Sequence, residues 1–378
     1  WHLGLGGEDG PQWNADLTPG PLDIGFDYAF LMPATGDRVP CVYVENRRVV
    51  GLDPADPITV NYKQKVGEWP TGKENPDLLT LKPTHGHDMT IVKGVSRIGW
   101  MTGGKAALWT DEEMADTFAK QAIKFIESQR EQPFFLYFAS HGIHVPRVPH
   151  PRFRGKSPVG TRGDAILELD DTVGQLLAAL DRLKLAQNTL VIFTSDNGGV
   201  MDDGYEDVGK FDYHPNAPLR GTKGTLFEGG HRVPFIARWP AKIPAASTSS
   251  GLIAHLDFTA TFAALAGAKV PAGGARDSID VGSVLVGPTD SPSPRKTFVA
   301  HVGGAKTPQT IRHGEWKYIE PGRAAYGKAA APKGAKPDAA KGQLYNLTTD
   351  PSEEKNLIDA HPERAQELIA KLRSERGE

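Results

Sequence analysis

Thr189-Leu190-Val191-Ile192-Phe193-Thr194 runs straight into Ser195-Asp196-Asn197-Gly198-Gly199. Six β-prone, largely apolar residues without alternation have the composition of a strand buried on both faces, and the polar cluster after them stands where loops leave such a strand. Upstream, Ile166, Leu169, Val173, Leu176, Leu177, Leu180 and Leu183 recur at helical spacing. The same order occurs once before. Met114, Phe118, Ala122, Phe125 and Ile126 make one apolar stripe, Gln132-Pro133 closes it, and residues 134–139 are apolar and aromatic throughout. Two successive helix–strand units predict an α/β fold with a mixed, mostly parallel central sheet flanked by helices.

Further along, a strand is expected over 233–239, and Asp257 is placed to cap a helix through Phe258, Phe262 and Leu265 that closes at Gly267. Beyond about residue 290 the texture changes to short strand-like pieces at 297–300 and 316–319, with a final helix over 362–373. Residues 324–341, rich in Ala, Lys, Gly and Pro, read as a flexible insert. The chain is thus expected to divide into a main domain, 1–290, and a smaller α+β subdomain, 291–378.

The 378 residues are 39% apolar and 24% charged, ordinary globular values, while 42 Gly and 30 Pro imply many turns. Residues 1–109 show little periodicity, and loops that long in a compact domain usually bind something. A net charge of -3 offers no electrostatic case for a nucleic-acid partner. Cys41 stands alone, which excludes an intrachain disulfide and a thiolate cluster. No apolar run is long enough to span a membrane, and no signal peptide is visible at Trp1. Oligomeric state is not legible here.

Ligands of an open parallel sheet collect beyond the strands' carboxyl ends, so the residues after each expected strand carry the chemistry. Asp196 and Asn197 offer two hard oxygen donors suited to Ca²⁺ or Mg²⁺, the alternative being an ordinary Asp-Asn-Gly turn. His141 and His144 lack the helical spacing of a zinc motif and are either structural or, as imidazolium, able to contact an anionic oxygen and protonate a leaving group. In Arg220-Gly221-Thr222-Lys223-Gly224-Thr225-Leu226-Phe227-Glu228-Gly229-Gly230, glycines around Lys223 let the backbone approach a ligand while the ammonium supplies a point charge. The spacing is not that of a Walker A loop, and a solvated basic turn is the competing account.

Together these segments resemble the sulfatase family, the formylglycine-dependent, arylsulfatase-like branch of the alkaline-phosphatase-like superfamily. Trp1-His2-Leu3-Gly4 is similar to the end of the family's Gly-Lys-Trp-His-Leu-Gly motif, Ser195-Asp196-Asn197-Gly198 to its metal-binding strand end, residues 221–234 to its lysine and Glu-Gly-Gly motifs, and residues 344–357 to its closing strand and turn. The resemblance implies that Asp196 and Asn197 coordinate Ca²⁺ and that Lys223 binds sulfate. It further implies that His144 contacts sulfate and assists the leaving oxygen, and that His2 helps the nucleophile release sulfate. The family makes its formylglycine from a Cys/Ser-x-Pro/Ala-x-Arg motif upstream of Trp-His-Leu-Gly; Cys41 lacks the motif's arginine and lies downstream of His2. That implies an N-terminally truncated sulfatase, inactive as it stands, with its nucleophile and further aspartate ligands outside the chain.

The expected substrate is a small-molecule or glycan sulfate ester, with a sulfated carbohydrate preferred. Loops 34–38 and 84–88 carry polar groups suited to sugar hydroxyls, and Trp100 or Trp109 is a candidate to stack on a pyranose, solvated loops and packed aromatics being the alternative. Periplasmic or secreted location is implied by the resemblance alone. A phosphoryl or phosphonate ester hydrolase and a non-catalytic sulfated-glycan-binding protein are the rivals; Asn197, an amide where two-metal relatives present imidazole, favours one hard cation.

Overall fold

The structure, a computed structural model, describes residues 4–8, 10–201, 205, 207–289, 291–303, 307–322 and 342–378. Two helices form where apolar side chains recur at helical spacing. Met114–Ser128 buries Met114, Ala119, Ala122 and Ile126 and packs on Gly160–Arg182, which buries Ala165, Thr172, Ala179 and Leu180. Among the described residues no helix is long and apolar enough to cross a membrane.

The expected parallel central sheet is corrected by the strand pairing. Val191–Thr194 pairs antiparallel with Phe235–Arg238, Val191 opposite Arg238 and Thr194 opposite Phe235. Residues 134–139 have no strand assignment; exposure alternates along them, with Phe135 60% and Tyr137 58% exposed. An apolar run records a preference for burial but not the direction, or the existence, of its partner. The sheets among the described residues are small and antiparallel: Phe30–Leu31, Val44–Glu45 and Arg48–Val49; Thr59–Asn61 with Trp100–Thr102; Ile91–Val92 with Val95–Ser96; and four strands in the order Thr297–His301, Gln309–His313, Trp316–Ile319, Gln343–Asn346. The architecture is α/β, with helices and several small antiparallel sheets.

Two compact units divide the chain, Trp1–Leu185 with Asp202–Tyr213, and Ala186–Met201 with His214–Glu378. The first holds a core of Met32, Val39, Cys41, Met101, Trp109 and Met114, where burial pushes the Cys41 thiol up to about 12 and leaves it inert. In the second, helix Pro362–Arg376 lays Ala365, Leu368 and Leu372 on Ile311, Tyr318 and Leu344 of the four-stranded sheet. Residues 291–378 lie wholly within that second unit. Asp257 makes no side-chain cap for helix Phe258–Leu265. Its carboxylate accepts from Ala254 N at 2.9 Å, Ile279 N at 3.0 Å and Arg295 Nε at 2.7 Å, so the buried arginine takes the carboxylate that the sequence assigns to the helix. The insert expected at 324–341 lies outside the described residues.

Candidate active site

In the second unit, strand Val191–Thr194 delivers residues 195–199 onto the loop that carries Lys223. Gly198 N donates to Gly230 O at 3.0 Å and Lys223 N donates to Gly199 O at 3.2 Å. Asn216 joins both loops. Its Oδ1 accepts from Gly199 N at 2.7 Å, while Nδ2 donates to Gly199 O at 2.9 Å and to Gly221 O at 3.0 Å. The glycines are needed for space: a Cβ on Gly198 would lie 1.8 Å from Gly229 O, and Gly221, at φ 89°, has left-handed backbone besides.

Beneath Lys223 the loop is rigid. Thr225 is buried, its hydroxyl accepting from Thr222 N at 3.1 Å and donating to Thr222 O at 2.8 Å, which leaves Lys223 exposed on a fixed turn. Asp196 is exposed and Asn197 half-buried. The Thr194 hydroxyl donates to Pro234 O at 2.9 Å, so it can only accept from His255, whose Nε2 lies 2.9 Å away and must carry the proton. Burial lowers the pKa of His255, and the negative charge of Asp196 opposes that shift.

Two hard oxygens side by side fit part of a calcium shell, which takes about six to eight such donors. Among the described residues no three His, Cys, Asp or Glu side chains converge as a metal site. Asp196 and Asn197 are therefore compatible with calcium as two donors of a larger set.

The first unit holds His141 and His144 in the loop after residues 134–139. His144 Nδ1 lies 2.7 Å from Val145 O, a carbonyl that can only accept, so Nδ1 bears the proton and Nε2 is the nitrogen left for other chemistry. His141 is half-buried; its ring fills the space where a Cβ on Gly36 would sit, 2.5 Å from His141 Cε1. Burial first, and then the neighbouring His144, pull its pKa down to about 4, making it a structural neutral imidazole.

Loops 34–38 and 84–88, far apart in sequence, meet in this unit. Asp37 Oδ2 lies 3.6 Å from His87 Nε2, Arg38 NH1 donates to Asp37 Oδ1 at 3.0 Å and to Thr35 Oγ1 at 2.8 Å, and Thr84 Oγ1 meets His87 Nδ1. The His87 pKa is lowered, chiefly by burial, with Asp37 opposing and Arg38 and His144 adding to the shift. Trp109 is 2% exposed within the Met101–Met114 core, which removes it as a stacking platform for a sugar. His2 lies outside the described residues. Sequence reasoning passed over Asn216, whose only signal is a side chain with both donor and acceptor between Pro215 and Ala217-Pro218.

A strand-end pair of hard oxygens laced to a glycine-bounded lysine loop is chemically compatible with an anionic ester. The family model described as Sulfatase matches residues 58–268. An N-acetylgalactosamine-6-O-sulfatase of Bacteroides thetaiotaomicron is 49% identical over 99% of this chain and 73% of its own length. Human arylsulfatase A is 33% identical over 99% of this chain and 66% of its own. A solved Bacteroides thetaiotaomicron structure, titled for the metabolism of multiple glycosaminoglycans, superposes with a TM-score of 0.91 at 48% identity, covering 100% of this chain and 78% of that one. The chain belongs to the sulfatase family, the sulfuric ester hydrolases. The expectation of an N-terminally truncated sulfatase is corrected by the same figures: the likeness runs over nearly the whole chain, and family membership throughout is what it establishes.

Proposed function

We propose that the protein hydrolyses sulfate monoesters carried on a carbohydrate, by a calcium-assisted formylglycine mechanism. The observation that carries the proposal is the lacing of the Asp196-Asn197 strand end to the Lys223 loop by Lys223 N on Gly199 O at 3.2 Å and by the three hydrogen bonds of Asn216. Cleaving the ester S–O bond spreads negative charge over the nonbridging oxygens and the leaving oxygen, so fixed positive charge near those atoms lowers the barrier.

Asp196 and Asn197 would hold the calcium, which supplies divalent charge to the sulfate oxygens when bound. Lys223 adds an ammonium from a turn that Thr225 keeps rigid. His144, with Nδ1 committed to Val145 O, has Nε2 free to carry the proton that the departing sugar oxygen takes up. His2 is proposed to assist release of sulfate from the nucleophile in the second half of the cycle; a formylglycine, for which Cys41 is not the source, would supply that nucleophile. Supporting a sugar as the leaving group are the polar loops 34–38 and 84–88 and the name of the 49% identical relative, which makes 6-sulfated N-acetylgalactosamine the first substrate to try. Export to a periplasm or the exterior is proposed from the family alone and is tested by cell fractionation.

Sulfate release from a panel of sulfated sugars, by protein whose formylglycine has been confirmed by peptide mass, tests the proposal. It predicts turnover on a sulfated sugar that a chelator abolishes and calcium restores. Release of phosphate from phosphate esters, or of phosphonate from phosphonate esters, in preference to sulfate would overturn it.

A further inference from the structure

Lys317 is fully buried on strand Trp316–Ile319, with Nζ 2.9 Å from Glu228 Oε1 and 2.9 Å from Glu353 Oε1, both of them buried carboxylates. Its ammonium also lies 3.2 Å from His231 Nε2, which faces Leu226 O at 3.3 Å. Charges taken so completely from water persist only when paired, and removing one member leaves the others uncompensated. Arg232 and Arg312 stand 3.6 and 3.9 Å from Glu228 Oε2 at the rim, offsetting the second carboxylate.

What this network grips is the lysine loop. Glu353 Oε2 accepts from Glu228 N at 2.6 Å, and the Glu353 carbonyl accepts from Arg220 NH1 at 2.8 Å. Arg220 lies three residues before Lys223 and Glu228 five after it. One residue therefore fastens both stems of the loop, and Lys317 holds that residue in place. The Arg220 guanidinium also lies over the Phe227 ring, 4.0 Å from its centroid, and Gly229 N donates to Arg220 O at 2.7 Å, closing the stems on each other.

We propose that Glu353 and Lys317 are positioning residues that fix the loop bearing Lys223, and so set its affinity for the sulfate group; the affinity part rests on Lys223 being the sulfate ligand. They touch no substrate and act through Arg220 and Glu228.

The test uses Glu353→Gln, which keeps the side chain's shape, and Arg220→Met, which removes the second fastening and leaves the buried ions intact. Amide hydrogen exchange of residues 222–225 and titration with inorganic sulfate are read for both, beside Lys223→Ala. The expected result is exchange faster by at least about tenfold at 222–225 in both variants, with amides of helix Pro362–Arg376 unchanged. Sulfate affinity should fall about tenfold in both and at least as far in Lys223→Ala. Unchanged exchange at 222–225 overturns the positioning role, as does loosening shared equally with the distant helix. If exchange rises as expected while Lys223→Ala binds sulfate like the unmodified protein, the positioning role stands and the sulfate-ligand assignment falls. Should Glu353→Gln fail to fold, Arg220→Met, changed only at a half-buried side chain, decides the question alone.

Discussion

Asn216 and Gly199 exchange two hydrogen bonds, Gly199 N donating to Oδ1 at 2.7 Å and Nδ2 donating back to Gly199 O at 2.9 Å. The side chain thereby imitates a strand neighbour for the loop that follows Val191–Thr194. Asn216→Ala takes these hydrogen bonds from Gly199 N and Gly221 O, while Gly199 O keeps Lys223 N, and should cost about 1–3 kcal/mol of stability. Asn216→Asp does not rescue it, because a carboxylate cannot donate to Gly199 O or Gly221 O. Urea unfolding of the two variants checks this, and an aspartate variant as stable as the parent would refute it.

Gly198→Ala tests the closeness of the two loops. The added methyl would lie 1.8 Å from Gly229 O, a backbone atom that cannot swing aside. Overpacking of this kind costs about 1–3 kcal/mol, and the displaced strand end should lower sulfate release by more than about tenfold. Wild-type turnover in this variant would mean that the approach of the loops is irrelevant to activity.

Stability should depend on pH through two half-buried histidines. His141 and His231 are each pulled down to about 4, burial being the first cause in both, with His144 adding to it for the one and Lys317 for the other. In the unfolded chain they protonate near about 6.5. Their contribution is complete above that value and is lost as pH falls from there towards 4, because the unfolded state takes up protons that the native state refuses. His231→Gln should flatten the dependence of the unfolding midpoint on pH in that window; an unaltered slope counts against the assignment.

Asp196→Ala should weaken calcium binding, read directly by calorimetric titration of the metal, while Lys223→Ala should leave calcium affinity within about twofold and lower sulfate release by roughly a hundredfold. Equal effects of the two variants on calcium would show that the ligand assignment is wrong.

The helices were legible because apolar side chains recur at helical spacing: of the first stripe Met114, Ala122 and Ile126 are buried and Phe118 and Phe125 half-buried, while of the second Leu180 is buried and the rest half-buried. Strand Val191–Thr194 was legible for its β-branched and aromatic composition. Its partner's direction was not, since Ile192 reads the same whether a parallel or an antiparallel neighbour covers it. Phe135 and Tyr137 misled for a related reason, as aromatic bulk signals a preference for burial without specifying a strand partner; Phe135 stacks on Phe26 at 6.3 Å yet stays 60% exposed. Within the site, Asp196, Asn197 and Lys223 could be singled out by their glycines and strand-end position. The Lys317–Glu228 contact could not, with the partners 89 positions apart; its trace in the sequence is a charge between Trp316 and Tyr318, inside an otherwise apolar strand.

Sulfate released from 6-sulfated N-acetylgalactosamine, followed by ion chromatography with the parent protein and Lys223→Ala side by side, tests the account most directly. It predicts calcium-dependent release by the parent and loss of roughly two orders of magnitude in the variant. No release from any sulfated sugar by formylglycine-bearing protein, or equal release by Lys223→Ala, would contradict it.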